Sequence, residues 1–471
     1  MSALLVAVGF GSAQGCGGSD DSSQFGNGQD SGTFASGDGG QGFQTGNGDG
    51  GDVCTGGLCT SIASCGSEGT GDTTISGIVT DPAGKNPLYN VAVFIPNFPE
   101  KVPDYTDGPS CDVCGTAIPG GVASSAVTGI DGSFTLTHVP VAANVPVVVQ
   151  VGKWRRTYTF ANINKCVANN APSNDVFRLP AKQSEGHLPH MAITTGGADS
   201  MECLYRRMGI DDSEFVAGGR VTLYGGKSSG GGQATNKFDG AHGGANFPDA
   251  RAFWNDINQM NQYDIIVYSC EGADFDGDKT TGVPNTASFL DRGGKMFASH
   301  WHRGFFSLDP KLSSIGTWDD LNDPPGTSTG TVVTSFPKGK ALSDWLVKVN
   351  ASTTAGQLTI KAGKQNVYSI VSPGTEWVYI DKGGSDAKNH VPEFTTVNTP
   401  VGASDDKLCG KAAFSDLHVS SGGSGDTTSG KAWPTECATG DLTAQEKALE
   451  FLFFDLSACV QNDSQPPPAP R

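Results

Sequence analysis

Two hydrophobic rhythms divide the chain. From residue 73 to about 165, short runs of β-forming residues alternate with turn residues, as in a small antiparallel sandwich. Residues 74–79 (TISGIV) read as a strand, 81–84 (DPAG) as a turn and 91–95 (VAVFI) as the next strand. Asp131-Gly132 then turns the chain into a strand over 133–136, and 145–151 forms another. From 187 to 460 strands alternate with helices. Residues 191–195, 220–224, 263–268 and 295–299 read as strands, the third apolar nearly throughout, as in a sheet covered on both faces. Helices are expected over 199–208, with Met201, Leu204, Tyr205 and Met208 on one face, and over 286–292, ending at Gly293-Gly294. A last helix over 446–456 opens on the capping-box pair Thr443 and Glu446. The expected fold is multi-domain: an antiparallel β-sandwich over 73–165, then an α/β domain with a mainly parallel sheet over 187–460.

The flanks lack either rhythm. Residues 17–72 are Gly, Ser, Asp, Gln and Asn with few aliphatics, which cannot bury enough surface to offset backbone entropy and read as a disordered Gly-rich tether. The end, 461–471, is a Pro-rich tail that is unfolded or extended. At the start, 3–8 is apolar but too short to span a bilayer, and small residues lead from it to Cys16. Residues 1–16 read as the end of a secretion signal, and Ala13-Gln14-Gly15-Cys16 is similar to a bacterial lipobox, with Cys16 the lipidated residue. Ala13 stands where that motif usually has Leu.

The formal charge of −18 excludes nucleic acid and anionic lipid surfaces as partners, since no basic patch neutralises phosphates. A membrane enters only through a lipid anchor. Twelve cysteines suit an oxidising compartment, so the chain is expected outside the cytoplasm, as an outer-membrane lipoprotein or extracellular. Cys54, Cys59 and Cys65 are read as local disulfides at the distal end of the tether. Cys111-Asp112-Val113-Cys114 and Cys166 are read as disulfide-bonded rather than metal-binding.

Ligands of open α/β sheets sit beyond the C-terminal ends of strands. The segments there are Gly196-Gly197-Ala198-Asp199, Ser269-Cys270-Glu271-Gly272, His300-Trp301-His302 and Asp416-Leu417-His418. Cys270, Glu271, His300 and His418 are the candidate catalytic residues. Cys270 would be reactive beside a helix N-terminus or a cation, such as one supplied by His300 or His418, and is otherwise a buried or disulfide-bonded cysteine. Glu271, His300, His302 and His418 would hold a transition ion only if they converged, and no metal or cofactor is assigned. Asp199 or Ser200 caps the helix over 199–208, Asp199 reading as a cap rather than a catalytic acid, and Asp274, Asp276 and Asp278 read as a solvated acidic turn.

The stretches ISGIVTDPAGKNPLYNVAVFIP and TGIDGSFTLTHVP resemble the carboxypeptidase regulatory-like module, which implies a transthyretin-like sandwich used for carbohydrate binding or spacing. Residues 263–272, 293–304 (GGKMFASHWHRG) and 409–421 (CGKAAFSDLHVSS) are similar to the three strand ends of the class I glutamine amidotransferase-like fold, including its trehalose-utilisation branch. That resemblance implies an oxyanion turn, a nucleophile elbow and a late histidine. No cysteine stands at the elbow, around Ser299-His300, so glutaminase activity is not expected. GKWRRTYTF at 152–160, LPAKQSEGHLPHMAITTGG and the closing LTAQEKALEFLFFDLSACV together resemble, over 73–460, a family of large exported bacterial proteins that pair these two modules.

The expected function is an envelope-tethered binding protein rather than an enzyme, with a glycan or envelope component as partner and Trp154 as an exposed contact. The alternatives are a hydrolase or transferase using the Cys270, Glu271, His300 and His418 cleft, and a structural spacer.

Overall fold

Alternating β-formers in the first half and apolar runs in the second give two β-rich parts in the computed structural model. It describes residues 54–66, 71–170, 177–234, 239–240, 247–419, 433–435 and 437–471. Cys16 and the tether up to residue 53 lie outside the described residues.

The first part holds seven strands: β1 (Thr74–Ile78), β2 (Ala92–Pro96), β3 (Val122–Val127), β4 (Ser133–Leu136), β5 (Ala143–Val151), β6 (Trp154–Asn162) and β7 (Ala168–Asn170). They form a four-stranded antiparallel sheet, β3-β2-β5-β6, and a three-stranded sheet, β4-β1-β7, in which β7 runs parallel to β1. Ile75 and Leu136 from the smaller sheet share one core with Val93, Ile95, Val147 and Val149 from the larger. The distal end of the expected tether docks here: the backbone N–H groups of Leu58 and Cys59 donate to Asn97, and Val141 N–H donates to the Ser61 carbonyl.

The second part runs β8 (Met191–Thr194), α1 (Met201–Arg207), β9 (Val221–Tyr224), α2 (Ala250–Trp254), α3 (Ile257–Met260), β10 (Ile265–Tyr268), α4 (Asp276–Lys279), α5 (Gly282–Asp291) and β11 (Lys295–Ser299). It continues through α6 (Gly304–Ser307), β12 (Gly316–Trp318), β13 (Thr327–Val332), α7 (Pro337–Lys348), β14 (Gln357–Lys361), β15 (Val367–Ile370), β16 (Thr375–Asp381), β17 (His390–Thr399), β18 (Gly410–Ser415) and α8 (Ala444–Ser457). Nine strands make one sheet in the order β14-β13-β16-β17-β18-β11-β10-β8-β9.

The sheet is mixed rather than mainly parallel. β9, β8, β10, β11 and β18 run parallel, whereas β17, β16, β13 and β14 each run antiparallel to the neighbour before them. The central parallel strands are buried on both faces. Ile193, Val267, Phe297 and Ala413 face a core shared with α1, α8 and the first part. Ala192, Ile266, Tyr268, Met296, Ala298 and Phe414 face a second core with α2 and α5.

The two parts meet across α8, and every residue from Gln445 to Ser457 on that helix is buried. Its Thr443–Glu446 capping box is present as the sequence predicts. Trp154 is fully buried and packs edge-on against Phe453 and Phe454, so it is an inter-part packing residue and not the exposed glycan contact expected of it. The Gly152-Lys153 hairpin ahead of it requires glycine: φ is 51° at Gly152, and a methyl group there would sit 1.8 Å from the Ser457 carbonyl oxygen. Residues of both parts belong to one compact unit.

Five disulfides brace this arrangement. Cys54–Cys59 is local, but Cys65 pairs with Cys166, and the Cys111-x-x-Cys114 motif does not close on itself: Cys111 bonds Cys409 and Cys114 bonds Cys459. Cys203–Cys437 is the fifth. The Pro-rich tail docks, its Arg471 and Pro470 carbonyls accepting from Ile118 N–H and Ser125 Oγ. Among the described residues no helix is long and apolar enough to cross a membrane.

The α8 contacts can be tested at two positions. Replacing Trp154 with Ala should cost about 3–5 kcal/mol in denaturant unfolding, the range for a large buried aromatic; a loss under about 1 kcal/mol would remove Trp154 from the shared core. The second position is Glu450. Burial, then the charge of Asp81, holds its carboxyl well above the ordinary 4.5. Its Oε2 accepts from Asn86 Nδ2 at 2.7 Å, and the charge of Asp81 beside it opposes ionisation. The folded state therefore keeps a proton that the unfolded state gives up, and stability falls as pH rises above about 4.3 toward the folded value. Glu450→Gln keeps donor and acceptor without ionising. Its Tm should exceed wild type at about pH 8 and converge on it at about pH 4 and below, and a pH-independent gap would contradict the assignment.

Candidate functional site

The register of the parallel strands sets the site. Thr194 pairs with Tyr268, Tyr268 with Ala298, and Ala298 with Phe414, so β8, β10, β11 and β18 end level with one another. The turns that follow carry Asp199, Cys270, His300 and His418 to one edge of the sheet. These are four neighbouring strand ends, the position at which open α/β sheets hold ligands.

The first turn must approach the second closely. A methyl group on Gly196 would lie 2.0 Å from the Cys270 carbonyl oxygen, and that carbonyl accepts from Ala198 N–H at 3.0 Å. Asp199 is thereby driven inward, where it is fully buried. Its Oδ2 accepts from Ser299 Oγ and from Cys270 N–H at 3.4 Å, and its Oδ1 accepts from Val419 N–H at 2.9 Å. Of the two expected cap residues it is Ser200 that occupies the N-cap of α1, and Asp199 lies one place before it. Asp199 ties the other three turns to its own, and its place after Gly196-Gly197 at a strand end was the signal for this role.

β11 ends in a strained turn. His300 has φ of 40°, a left-handed conformation rare outside glycine, and opens the 3-10 turn His300–Arg303. The turn sends the two histidines apart. His300 Nδ1 lies 3.3 Å from Cys270 Sγ and 3.1 Å from His418 Nε2. His302 is stacked on Tyr268 and Phe305 in the second core. On its far side His418 Nδ1 faces Asp199 Oδ1 at 3.8 Å. Gly272 N–H donates to Cys270 Sγ at 3.4 Å.

Three of the four candidate catalytic residues therefore converge. Glu271 does not join them. Side chains of successive residues diverge, and the Glu271 carboxylate accepts from Lys279 Nζ at 3.0 Å and from Lys227 N–H at 3.1 Å, with His302 Nε2 3.9 Å away. Lys279, fully buried opposite it, was not expected from an acidic turn. In that turn Asp274 pairs with Arg303, and Asp278 with Lys227 and Arg251. Asp416, beside His418, is engaged by the backbone N–H and side-chain amide of Asn366, and burial pushes its carboxyl up to about 7.

Burial opposes charge on the thiol and on both imidazoles of the cluster. Burial raises the Cys270 thiol well above its ordinary value, Asp199 adds to this, and the Gly272 N–H opposes it. Burial, with His418 next, pushes His300 down to about 2. Burial also lowers His418, against the pull of Asp199. A resting thiolate–imidazolium pair is therefore disfavoured. Cys270 is the one free cysteine among the described residues. Cys270 Sγ and one nitrogen each of His300 and His418 lie within 4.8 Å of one another, the one group of three metal-ligating side chains among the described residues.

No family model and no curated protein matches the chain. Among solved structures it is similar to a GMP synthase-like protein from Thermoplasma acidophilum, at 8% identity and a TM-score of 0.29 over 57% of this chain and 94% of that one. A ThuA-like protein from Bacteroides uniformis gives 10% identity and a TM-score of 0.29 over 56% and 89%. A cohesin–X-dockerin complex from Acetivibrio cellulolyticus gives 16% identity and a TM-score of 0.17 over 32% and 88%. At these scores none of the likenesses carries a conclusion about what this chain does.

Proposed function

We propose that the chain is an exported, disulfide-braced hydrolase or transferase that works at Cys270, His300 and His418. The observation that carries this reading is their convergence from three neighbouring strand ends, with the Asp199 carboxylate behind them. Thiol, imidazole and carboxylate brought together in this way are the groups that nucleophilic and acid–base chemistry requires. The expected binding role loses its main support with the burial of Trp154.

In this reading the α/β part is a glutamine amidotransferase-like domain that has exchanged its thiol. His300 occupies the strained turn after β11, where the amidotransferase elbow would carry cysteine, and the thiol comes from the end of β10 instead. Glutaminase activity is not part of the proposal. The first part is a transthyretin-like sandwich that serves as a rigid mount, since its core is continuous with that of the α/β part. Export is supported by the cysteine arithmetic. Of twelve cysteines ten are paired, Cys270 is free, and Cys16 is left for a lipid anchor.

The purified full chain should hydrolyse at least one class in a panel of chromogenic carboxylic esters, amides and phosphoesters. Turnover should fall at least about 100-fold in Cys270→Ala and His418→Ala, the range for removing a nucleophile or its base. His300→Gly suits the left-handed turn and should lose activity while keeping the wild-type near-ultraviolet dichroism. No turnover in any class, or turnover unchanged in these variants, would overturn the enzyme reading. For export, alkylation before and after reduction of chain recovered from the cell envelope should find the ten cysteines paired. Recovery of the same ten as free thiols in the cytoplasm would remove that part of the proposal.

A further inference from the structure

The contacts inside the cluster leave it short of protons and rich in lone pairs. His300 Nδ1 faces both Cys270 Sγ, at 3.3 Å, and His418 Nε2, at 3.1 Å. One ring nitrogen carries at most one hydrogen, so three soft or borderline donor atoms crowd a point that no protein hydrogen can satisfy for all of them. We propose that this point is a binding site for one divalent transition ion of the zinc class, held by Cys270 Sγ, His300 Nδ1 and His418 Nε2. The inference rests on reading these residues as the working centre and names what that centre holds.

The spacing fits. Around a tetrahedral ion with metal–nitrogen bonds of about 2.05 Å and a metal–sulfur bond of about 2.3 Å, the ligand atoms stand about 3.3 Å apart for N···N and about 3.6 Å for N···S. The observed separations fall short of these by a few tenths of an ångström, and the three atoms lie within 4.8 Å of one another. One thiolate and two imidazoles select zinc, cobalt or copper over magnesium or calcium, which take oxygen ligands.

The surroundings of the three ligands also suit an ion. His418 presents Nε2 to the cluster and Nδ1 to the buried Asp199 carboxylate at 3.8 Å, the order of a carboxylate–histidine–metal relay. Gly272 directs its backbone N–H at the sulfur, a common support for a metal-bound thiolate. Cys270 and Asp199 together would place two negative charges in a buried space. A divalent ion balances them, with the thiol proton released to solvent as the metal–sulfur bond forms. Three protein ligands leave a fourth position for water, the pattern of catalytic rather than structural zinc sites.

The test is a cobalt titration of the full, disulfide-intact chain after treatment with chelator. The expected result is one equivalent bound, with d–d bands of a four-coordinate ion and a near-ultraviolet thiolate-to-cobalt charge-transfer band, both abolished by added zinc. Cys270→Ser should lose the charge-transfer band. Asp199→Asn should keep the stoichiometry and bind about 10–100-fold more weakly, as for loss of a carboxylate behind a ligating histidine. No cobalt–thiolate band in the wild-type chain, or an undiminished one in Cys270→Ser, would overturn the site, as would spectra and affinity unchanged in both His300→Gly and His418→Ala. The outcomes separate the two proposals. Hydrolysis that depends on Cys270 but survives chelator discards the metal and keeps the enzyme, whereas a cobalt–thiolate site without any turnover does the reverse.

Discussion

The burial of α8 on all sides is the constraint on which the rest of the molecule depends. A helix that is apolar around most of its circumference has to be enclosed. The parallel sheet covers one side of α8, and α7 with the β-rich first part covers the remainder. Its acidic groups then need partners in a setting where an unpaired charge is costly. Glu446 meets Arg207, Glu450 meets Asn86 and Asp81, and Asp455 meets Lys338 and Lys411. Asp463 from the tail completes the last group, bonding both lysines. The tail is thus held by buried ion pairs although its prolines give it no regular structure.

That enclosure keeps the parallel strands in fixed register, and the register places the cluster. Each of its side chains lies on a turn rather than in a strand, and the four turns are joined by hydrogen bonds to a single carboxylate, that of Asp199, or to its immediate neighbours. The left-handed backbone at His300 costs about 1–3 kcal/mol, which the surrounding contacts must offset. In return it aims one imidazole at Cys270 and leaves the next histidine, His302, in the core. Conformational strain, a buried free thiol and a buried carboxylate hub all coincide there, whereas elsewhere the described cysteines are spent on disulfides.

The disulfides act on the same boundary as α8. Cys111–Cys409 and Cys114–Cys459 join the β2–β3 connection of the first part to the start of β18 and the end of α8, spanning 298 and 345 residues. Closing such long loops restricts the unfolded chain most. The covalent and the hydrophobic links therefore reinforce one interface, and the first part cannot move freely against the α/β part while they are intact.

The sequence by itself determined the elements whose pattern is local. β11, β4 and the capping box of α8 stand where hydrophobic runs and capping residues predict them, and the strand-end rule picked out Cys270, His300 and His418 before any contact was known. Tertiary structure decided what depends on partners distant in the chain. β13, with the polar sequence TSTGTV, is a strand only because β14 and β16 pair with it, so the antiparallel half of the sheet has no local signature. The direction of Glu271 away from Cys270 was set by the buried Lys279, the centrality of Asp199 by the close approach allowed at Gly196, and the pairing of each cysteine by the packing that brings it to its mate. A strand end can be read from the residues that precede it. Where its side chain points is fixed by the neighbouring strands, which lie far away in sequence.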